Sequence, residues 1–357
     1  MVGIELNAPR ILGYTSSITF SYDAQIGGMI MSKSRANACL SGLAAFGLFA
    51  VGPASAQQMA PSPPAQPPDS VWYTWAPKSI VQTPWKVPNK PIWRLSEILA
   101  AHKGQAAWTQ QIVLDQDYDA KYIQMAPGEK TPTLFWADDR IFFVVWSGQI
   151  RFTIQGQQPF VATKGFFVQV PYRTPYSMET VGNQPSLRFE VVRSGRTPLY
   201  PTDTTSAPPA ATPGKIYIKT SYRTPPDPYT DINKPYVDFE KDYVNNPASP
   251  KGNFAFVKDT ENFMNIIRGH GVRTPPDTNK GHFHIDYNEF WFIAEGKIDY
   301  LMEGMKVFTA EPGDVVYAPQ GRWHRASFGG DTMDTRIAIN PRPEGMHNFD
   351  VSSGAKQ

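Results

Sequence analysis

The sequence predicts an all-β protein, built from two tandem jelly-roll barrels with a few short helices. From Gln111 onward, short runs rich in β-branched and aromatic residues are separated by Gly and Pro at intervals of about eight to twelve residues. The same arrangement of turns occurs twice, so the second half is predicted to repeat the first. At 357 residues, the chain is long enough for two domains with separate cores.

The repeat is visible as a set of turn residues that recurs at one constant spacing. The pairs, each 148 residues apart, are Gly148 with Gly296, Gly165 with Gly313 and Pro171 with Pro319. The segment 148–152 (GQIRF) also parallels the segment 296–300 (GKIDY). A single spacing across separate motifs indicates a duplicated domain rather than chance similarity.

Local patterns predict the individual elements. Residues 93–102 have the apolar spacing of a helix, with Ser96 as the expected N-cap. Alternating and continuous apolar runs predict strands. The strands expected in the first half are 140–146, 149–154, 160–162, 166–170 and 187–192, and those in the second half are 290–293, 297–303, 307–309, 315–318 and 336–339.

A set of metal-ligating residue types is concentrated in the second half. His282 and His284 stand at positions i and i+2, so both imidazoles point to the same face of a strand. Glu289 follows after a four-residue gap, and His324 comes later, behind a turn that contains Gly321. Three imidazoles and one carboxylate suit one divalent transition metal ion per chain, Mn, Cu, Fe or Zn, with positions left open for water, substrate or dioxygen.

These segments resemble the two motifs of the cupin superfamily, G-x5-H-x-H-x3-4-E-x6-G and G-x5-P-x-G-x2-H-x3-N. Every ligand position matches, whereas Pro276 stands where the first motif opens with Gly and Phe328 where the second closes with Asn. The resemblance covers the core of each barrel and implies a bicupin, with two barrels in one chain. It also implies that the Pro- and Tyr-rich segment 222–250 packs across the other barrel as an arm.

The N-terminal barrel is expected to lack the metal. The residues 148 positions before the four ligands are Leu134, Trp136, Ile141 and Tyr176. They do not form a ligand set for a metal, so apolar groups are expected to fill this pocket. The barrel then has a supporting or dimerising role, or it binds an apolar or aromatic ligand without metal.

The resemblance further implies that Glu289 is catalytic as well as a ligand, because a carboxylate that leaves the metal can accept a proton from substrate. Strand parity places Trp291 on the same side as Glu289, and Arg322 on the same side as His324. With Arg273, they are the candidate substrate contacts; the alternatives are core packing for Trp291 and surface charge for the arginines. The histidines interpreted as solvated or structural are His102, His270 and His347.

Three classes of function remain open: oxygen-dependent oxidation or cleavage of a small organic acid, enol or phenolic compound, non-oxidative metal chemistry such as decarboxylation or isomerisation, and ligand binding without catalysis. The four-residue gap before Glu289 is like that of germins and flavonol-cleaving dioxygenases. Asn279 stands where bacterial oxalate decarboxylases have an arginine. The oxidative class is therefore favoured.

The first part of the chain has the pattern of an export signal. A short basic region, an apolar run too short to cross a bilayer and an Ala-x-Ala site predict cleavage after Ala56 and a periplasmic or secreted protein. The only cysteine, Cys39, lies in this leader, so the mature chain has no thiol. The expected segments are 1–30, an over-long gene start; 31–56, the signal peptide; 57–70, a Pro-rich tether; 71–200, the N-terminal barrel; 201–214, a linker; and 215–357, the metal-binding barrel.

Composition limits the partners. A formal net charge of +2 with scattered basic residues gives no footprint for nucleic acid. The expected partner is a small-molecule substrate, with no membrane span and with homo-oligomerisation left open.

Overall fold

The computed structural model of the protein describes residues 75–204, 207–270, 281–329 and 331–342. The predicted signal peptide and tether, together with Arg273 and His347, lie outside these ranges. Within them, the helical elements are α1 (Leu95–Ala101) and one turn of π-helix (Glu240–Val244). The strands are β1 (Ile92–Trp93), β2 (Trp108–Leu114), β3 (Tyr118–Met125), β4 (Phe135–Trp136), β5 (Ile141–Ser147), β6 (Ile150–Ile154), β7 (Phe160–Ala162), β8 (Phe166–Val170), β9 (Tyr176–Thr180), β10 (Ser186–Arg193), β11 (Pro198–Leu199), β12 (Tyr236–Asp238), β13 (Gly252–Lys258), β14 (Phe263–Gly269), β15 (Glu289–Glu295), β16 (Ile298–Met302), β17 (Phe308–Ala310), β18 (Val315–Ala318), β19 (His324–Phe328) and β20 (Asp334–Asn340).

Two barrels with the same strand order confirm the predicted all-β fold. In the N-terminal barrel, the sheet β12-β8-β5-β10-β3-β2 accompanies the sheet β7-β6-β9. In the C-terminal barrel, the sheet β1-β18-β15-β20-β14-β13 accompanies the sheet β17-β16-β19. Strands β5 and β15 begin at Ile141 and Glu289, and β9 and β19 begin at Tyr176 and His324, so the spacing of 148 residues holds through both barrels.

Each barrel includes one strand from the chain segment that comes just before the other barrel. Strand β1 pairs with β18 of the C-terminal barrel, and β12 pairs with β8 of the N-terminal barrel, all antiparallel. Strand β12 lies within the segment 222–250, which does pack across the other barrel as an arm. The boundaries predicted at 200 and 215 stay predictions, because this exchange leaves each barrel built from two parts of the chain.

The helix α1 shows how tertiary contacts replace a local signal. Ser96, the expected N-cap, lies inside the helix, and Arg94 occupies the cap position without a capping side-chain bond of its own. Asp314, from the C-terminal barrel, accepts a hydrogen bond from the backbone N–H of Leu95 at 3.1 Å and pairs with the Arg94 guanidinium at 2.7 Å. The cap was therefore mispredicted because its acceptor comes from a distant part of the sequence.

Three apolar cores stabilise the fold. One lies between the barrels, where the six-stranded sheets bring together Phe189 and Phe292 with ring centres 5.3 Å apart. The other two fill the barrel interiors, around Phe143 in the N-terminal barrel and Trp291 in the C-terminal barrel. Each six-stranded sheet thus presents one face to its own barrel and one to its partner. No helix of the described residues is long and apolar enough to cross a membrane.

Candidate metal centre

The structure brings the four predicted ligands together inside the C-terminal barrel. One ligand atom from each of His282, His284, Glu289 and His324 lies within 4.8 Å of the others. Glu289 is the first residue of β15 and His324 is the first residue of β19, and both side chains are buried. The other two come from the segment before β15, which approaches β19 through an isolated bridge between His282 and His324.

Backbone geometry holds that bridge in register. The amide of His282 donates to the His324 carbonyl at 2.9 Å, and the amide of His324 donates to the His282 carbonyl at 2.8 Å. Gly281 precedes the bridge with φ +73°, where a Cβ would lie 2.4 Å from the Trp323 ring and 2.6 Å from the His324 carbonyl oxygen. Only glycine fits this combination of positive φ and close approach.

The distances between donor atoms fit a single ion. The Glu289 carboxylate oxygen Oε2 lies 2.9 Å from His284 Nε2, 3.1 Å from His324 Nε2 and 3.8 Å from His282 Nε2. The Nε2 atoms of His282 and His324 are 3.1 Å apart. Two ligands at about 2.1 Å from a metal and at right angles to each other are about 3.0 Å apart, so this donor set suits a transition metal ion.

The protonation states of His282, His324 and Glu289 are also those expected of metal ligands. Burial lowers the pKa of His282 to about 4 and lowers the pKa of His324, so both imidazoles are neutral at pH 7. Burial would raise the pKa of Glu289, but the surrounding imidazoles, first of all His284, hold it well below its usual value. A neutral imidazole, as at His282 and His324, and an ionised carboxylate, as at Glu289, are the forms that bind metal.

Neighbouring groups orient the imidazoles. The Nδ1–H of His324 donates to the Arg322 carbonyl at 3.1 Å, which leaves Nε2 as the ligand atom. Tyr287 stacks on His284 with ring centres 4.3 Å apart, and Trp291 meets His324 edge-on at 4.9 Å. Of the four ligands, His282 alone is notably accessible, with 22% of its side chain exposed against 5% or less for the others. Approach to the cluster is therefore from the His282 side.

The candidate substrate contacts have different outcomes. Trp291 is 1% exposed and packs in the barrel core beside His324, as strand parity predicted. Arg322 is bound elsewhere: its guanidinium lies 3.8 Å from the Trp85 ring centre and donates to the carbonyls of Thr83 and Glu303, each at 2.6 Å. These contacts hold the guanidinium against the chain segment around Thr83, and the assignment of Arg322 as a substrate contact stays a prediction. Arg273 lies outside the described residues.

Two other histidines have structural contacts away from the cluster. His102 stacks on Trp108 with ring centres 4.3 Å apart and an angle of 4° between the planes. His270 lies 3.0 Å from the Lys251 ammonium at an exposed position. Neither residue takes part in the metal-ligand cluster, in agreement with the sequence interpretation.

The N-terminal barrel carries the same backbone arrangement without the ligands. Leu134 and Tyr176 form an isolated bridge at the positions that correspond to His282 and His324. Ile141 and Tyr176 are buried in the barrel core, with Leu134 and Trp136 packed against them. The Trp136 indole N–H donates to the Tyr176 hydroxyl at 3.2 Å. Apolar and aromatic groups fill this pocket, as the sequence predicted.

Sequence reasoning missed two polar residues inside the C-terminal barrel, Arg336 and Tyr300. The Tyr300 hydroxyl is fully buried, and burial raises its pKa to about 12 against the opposing effect of Arg336. A comparison of the two copies at the 148-residue spacing could have found both. Tyr300 corresponds to Phe152. Ala338, two residues after Arg336, corresponds to Glu190, two residues after Arg188.

Comparison with known proteins gives a family match over the segment that contains the motif, together with structural neighbours of low identity. Residues 272–339 match the Cupin domain family. A tryptophan-to-phenylalanine variant of Bacillus subtilis oxalate decarboxylase matches 80% of this chain and 89% of its own, at 13% identity and a TM-score of 0.45. A study of Mn(II) centres in the oxalate decarboxylase of that organism provides a second structure, which matches 68% of this chain and 75% of its own, at 14% identity and a TM-score of 0.42.

No curated protein matches the chain. At this level of similarity, the structural neighbours say nothing about the chemistry of this chain. The matched segment contains all four ligands and most of the strands around them, so the C-terminal barrel is a cupin domain. The chain also has a second barrel of the same strand order and, among its described residues, one metal-ligating site.

Proposed function

We propose that this bicupin is an enzyme that uses one divalent metal ion in its C-terminal barrel to oxidise or cleave a small organic acid, enol or phenolic compound with dioxygen. The observation that carries the proposal is the convergence of four donor atoms within 4.8 Å in one barrel. Folding alone does not require such a set, because the N-terminal barrel is built from the same strands around Leu134, Trp136, Ile141 and Tyr176. A catalytic role explains why the polar set is retained.

The residues of the site have separable tasks. His282, His284, Glu289 and His324 would hold the ion, and Mn, Cu, Fe and Zn all suit this donor set. When bound, such an ion supplies a Lewis acid with coordination positions left open for substrate or dioxygen. Trp291 and Tyr287 pack against two of the imidazoles, at 4.9 and 4.3 Å between ring centres, and keep water away from their inner sides.

Glu289 is the group we assign as general base. Its carboxylate lies at the centre of the cluster, in contact with the imidazoles of His284 and His324. A carboxylate is a suitable acceptor for the acidic proton of an enol, a phenol or a carbon next to a carbonyl. Acceptance of that proton by Glu289 raises the electron density of the substrate before oxidation.

Oxygen consumption separates the oxidative reaction from its alternative. Purified protein is analysed for bound metal and then supplied with carboxylic and phenolic compounds in an oxygen electrode. We expect oxygen uptake in proportion to product. Turnover that continues at full rate under strict anaerobiosis would eliminate the oxidative class and support a decarboxylase or isomerase.

We also propose that the mature protein begins near Gln57 and works in the periplasm or outside the cell. The support is the order of basic, apolar and Ala-x-Ala segments from Met31 to Ala56, with the only cysteine inside the leader. Mass spectrometry of protein from its native source tests this proposal. A chain that retains Cys39 would contradict it.

A further inference from the structure

An arginine faces the interior of the C-terminal barrel. Side chains alternate along β20, so Ile337 and Ile339 face the core between the barrels, whereas Arg336 and Ala338 face the inside. The Arg336 guanidinium carbon lies 5.6 Å from the centre of the Trp291 ring. The charge is therefore directed into the barrel rather than into solvent around it.

This guanidinium is one side chain away from the metal ligands. The Trp291 ring beneath it is 4.9 Å from the His324 ring, centre to centre. Trp291 also follows Glu289 by two residues on the same face of β15. Arg336 and the ligand His324 therefore lie beside the same Trp291 ring.

Arg336 has no anionic partner among the described residues. Its Nε atom is buried without a hydrogen-bond acceptor there, and the guanidinium carbon lies 5.9 Å from the centre of the Tyr300 ring. Cation–π contact with Trp291 and Tyr300 stabilises the charge only in part. A partly buried guanidinium in this state attracts a carboxylate, which can accept two parallel hydrogen bonds from it.

The N-terminal barrel has an arginine at the same position, but there a carboxylate pairs with it. Arg188 occupies the position equivalent to Arg336, and its Nε donates to the Glu190 carboxylate at 2.8 Å. In the C-terminal barrel, Ala338 stands at the position equivalent to Glu190, so the barrel that has the metal ligands lacks a carboxylate at that position. Phe152 stands at the position equivalent to Tyr300, so only the C-terminal barrel has a hydroxyl at that position.

We propose that Arg336, with the Tyr300 hydroxyl, binds the carboxylate of the substrate inside the C-terminal barrel, so that the enzyme acts on an organic acid rather than on a neutral enol or phenol. The inference rests on the proposed function in placing the substrate between Arg336 and the metal ligands. The binding of a carboxylate to Arg336 is nevertheless measurable when no metal is bound.

The test compares acids with their uncharged amides in isothermal titration calorimetry. Acetate and benzoate are the acids, and acetamide and benzamide have the same shapes without the charge. Each is titrated into the purified protein and into the same protein after chelator treatment. We expect the acids to bind the wild-type protein roughly ten- to a hundredfold more tightly than the amides, as for hydrogen bonds to a charged group.

Three variants assign the preference to Arg336. Arg336→Gln should remove the preference for acids, Arg336→Lys should restore part of it, and Ala338→Glu should suppress it by supplying the carboxylate that the other barrel has. The matched control is Arg151→Gln, which removes an arginine that pairs with Glu179 on the outside of the N-terminal barrel. Circular dichroism confirms that each variant is folded.

The outcomes separate the two proposals. A preference that survives Arg336→Gln, or that is absent from the wild-type protein, overturns the role of Arg336 even if metal and turnover are found. A preference that is lost in His282→Ala and kept in Arg336→Gln assigns the carboxylate to the metal and also overturns it. Acid binding through Arg336 in a protein that never takes up metal would support this inference and contradict the proposed enzyme.

Discussion

The two barrels of this chain have the same strand order and opposite interiors. In one, a backbone bridge joins His282 to His324, and in the other the same bridge joins Leu134 to Tyr176. The bridge forms in the C-terminal barrel, which has the ligand side chains, and in the N-terminal barrel, which does not. The register of the strands therefore creates the geometry of the site. The ligands can therefore be changed without loss of the fold.

A second difference concerns charge. The interior arginine of the N-terminal barrel is paired with Glu190 at 2.8 Å, whereas its counterpart Arg336 has no such partner in the described chain. An isolated charge in a protein interior is costly. The C-terminal barrel therefore differs from the N-terminal barrel in two ways: it has the metal ligands, and it has an arginine available to bind an anion.

The largest expected effect, on both metal binding and turnover, comes from replacing His324, which forms the isolated bridge with His282. His324→Ala should abolish metal binding and turnover, because it removes a buried ligand and the orienting bond to the Arg322 carbonyl. The matched control is Tyr176→Phe at the equivalent position, which loses only its bond with Trp136. Elemental analysis should show about one ion per chain in the control and none in His324→Ala; a full complement in His324→Ala would place the metal elsewhere.

Glu289→Gln should separate the two roles of the carboxylate. The amide keeps the shape and one oxygen donor but removes the negative charge and the basic oxygen. We expect partial retention of metal and a fall in turnover of about 10²–10⁴-fold, as for loss of a general base. Steady-state rates at matched metal content provide the measurement. Unchanged turnover would eliminate the role as base.

A third prediction concerns pH and the buried Asp139, which stands where the C-terminal barrel has Tyr287. Burial raises the pKa of Asp139 to about 7, above its value in an unfolded chain. Between about pH 4 and pH 7, the folded state then binds more protons than the unfolded state, so Asp139 makes stability fall as pH rises. The effect is about 1.4 kcal/mol for each unit of pKa difference.

Asp139→Asn should remove this loss, because the amide stays neutral and its oxygen can still accept the hydrogen bond from the Arg193 N–H. Urea midpoints at pH 5 and pH 8 test it. The variant should gain stability over wild type at pH 8 and little at pH 5. An equal difference at both pH values would show that the carboxyl does not titrate with folding.

The smallest expected effect, on the free energy of unfolding, concerns two asparagines, Asn89 and Asn233, that each lie in the chain segment before a barrel. Asn89 exchanges two hydrogen bonds with the backbone of Leu114, both at 2.9 Å, and Asn233 does the same with Lys258 at 2.9 and 2.8 Å. Asn89→Ala and Asn233→Ala should each reduce the free energy of unfolding by about 1–3 kcal/mol. Denaturant titration of both variants provides the comparison, and a marked inequality would mean that one arm matters more.

Much of this architecture could be predicted from residue patterns. The constant spacing between Gly148 and Gly296 predicted the duplication, because turn residues with φ of +72° and +74° resist substitution in both copies. The pattern of His282, His284 and Glu289 predicted convergence, since alternation in an extended segment is fixed by local geometry. Arg273 and the signal peptide lie outside the described residues and stay predictions.

The sequence by itself determined the two barrels, the four ligand positions and the apolar filling of the N-terminal copy, because these depend on local backbone periodicity and on residue type. Only the tertiary structure decided which polar groups are paired. Arg322 is bound by the arm through Thr83, the α1 cap comes from Asp314, and Arg336 lacks the carboxylate that Arg188 has. Pairing depends on contacts between residues far apart in the chain, and no local pattern encodes such contacts.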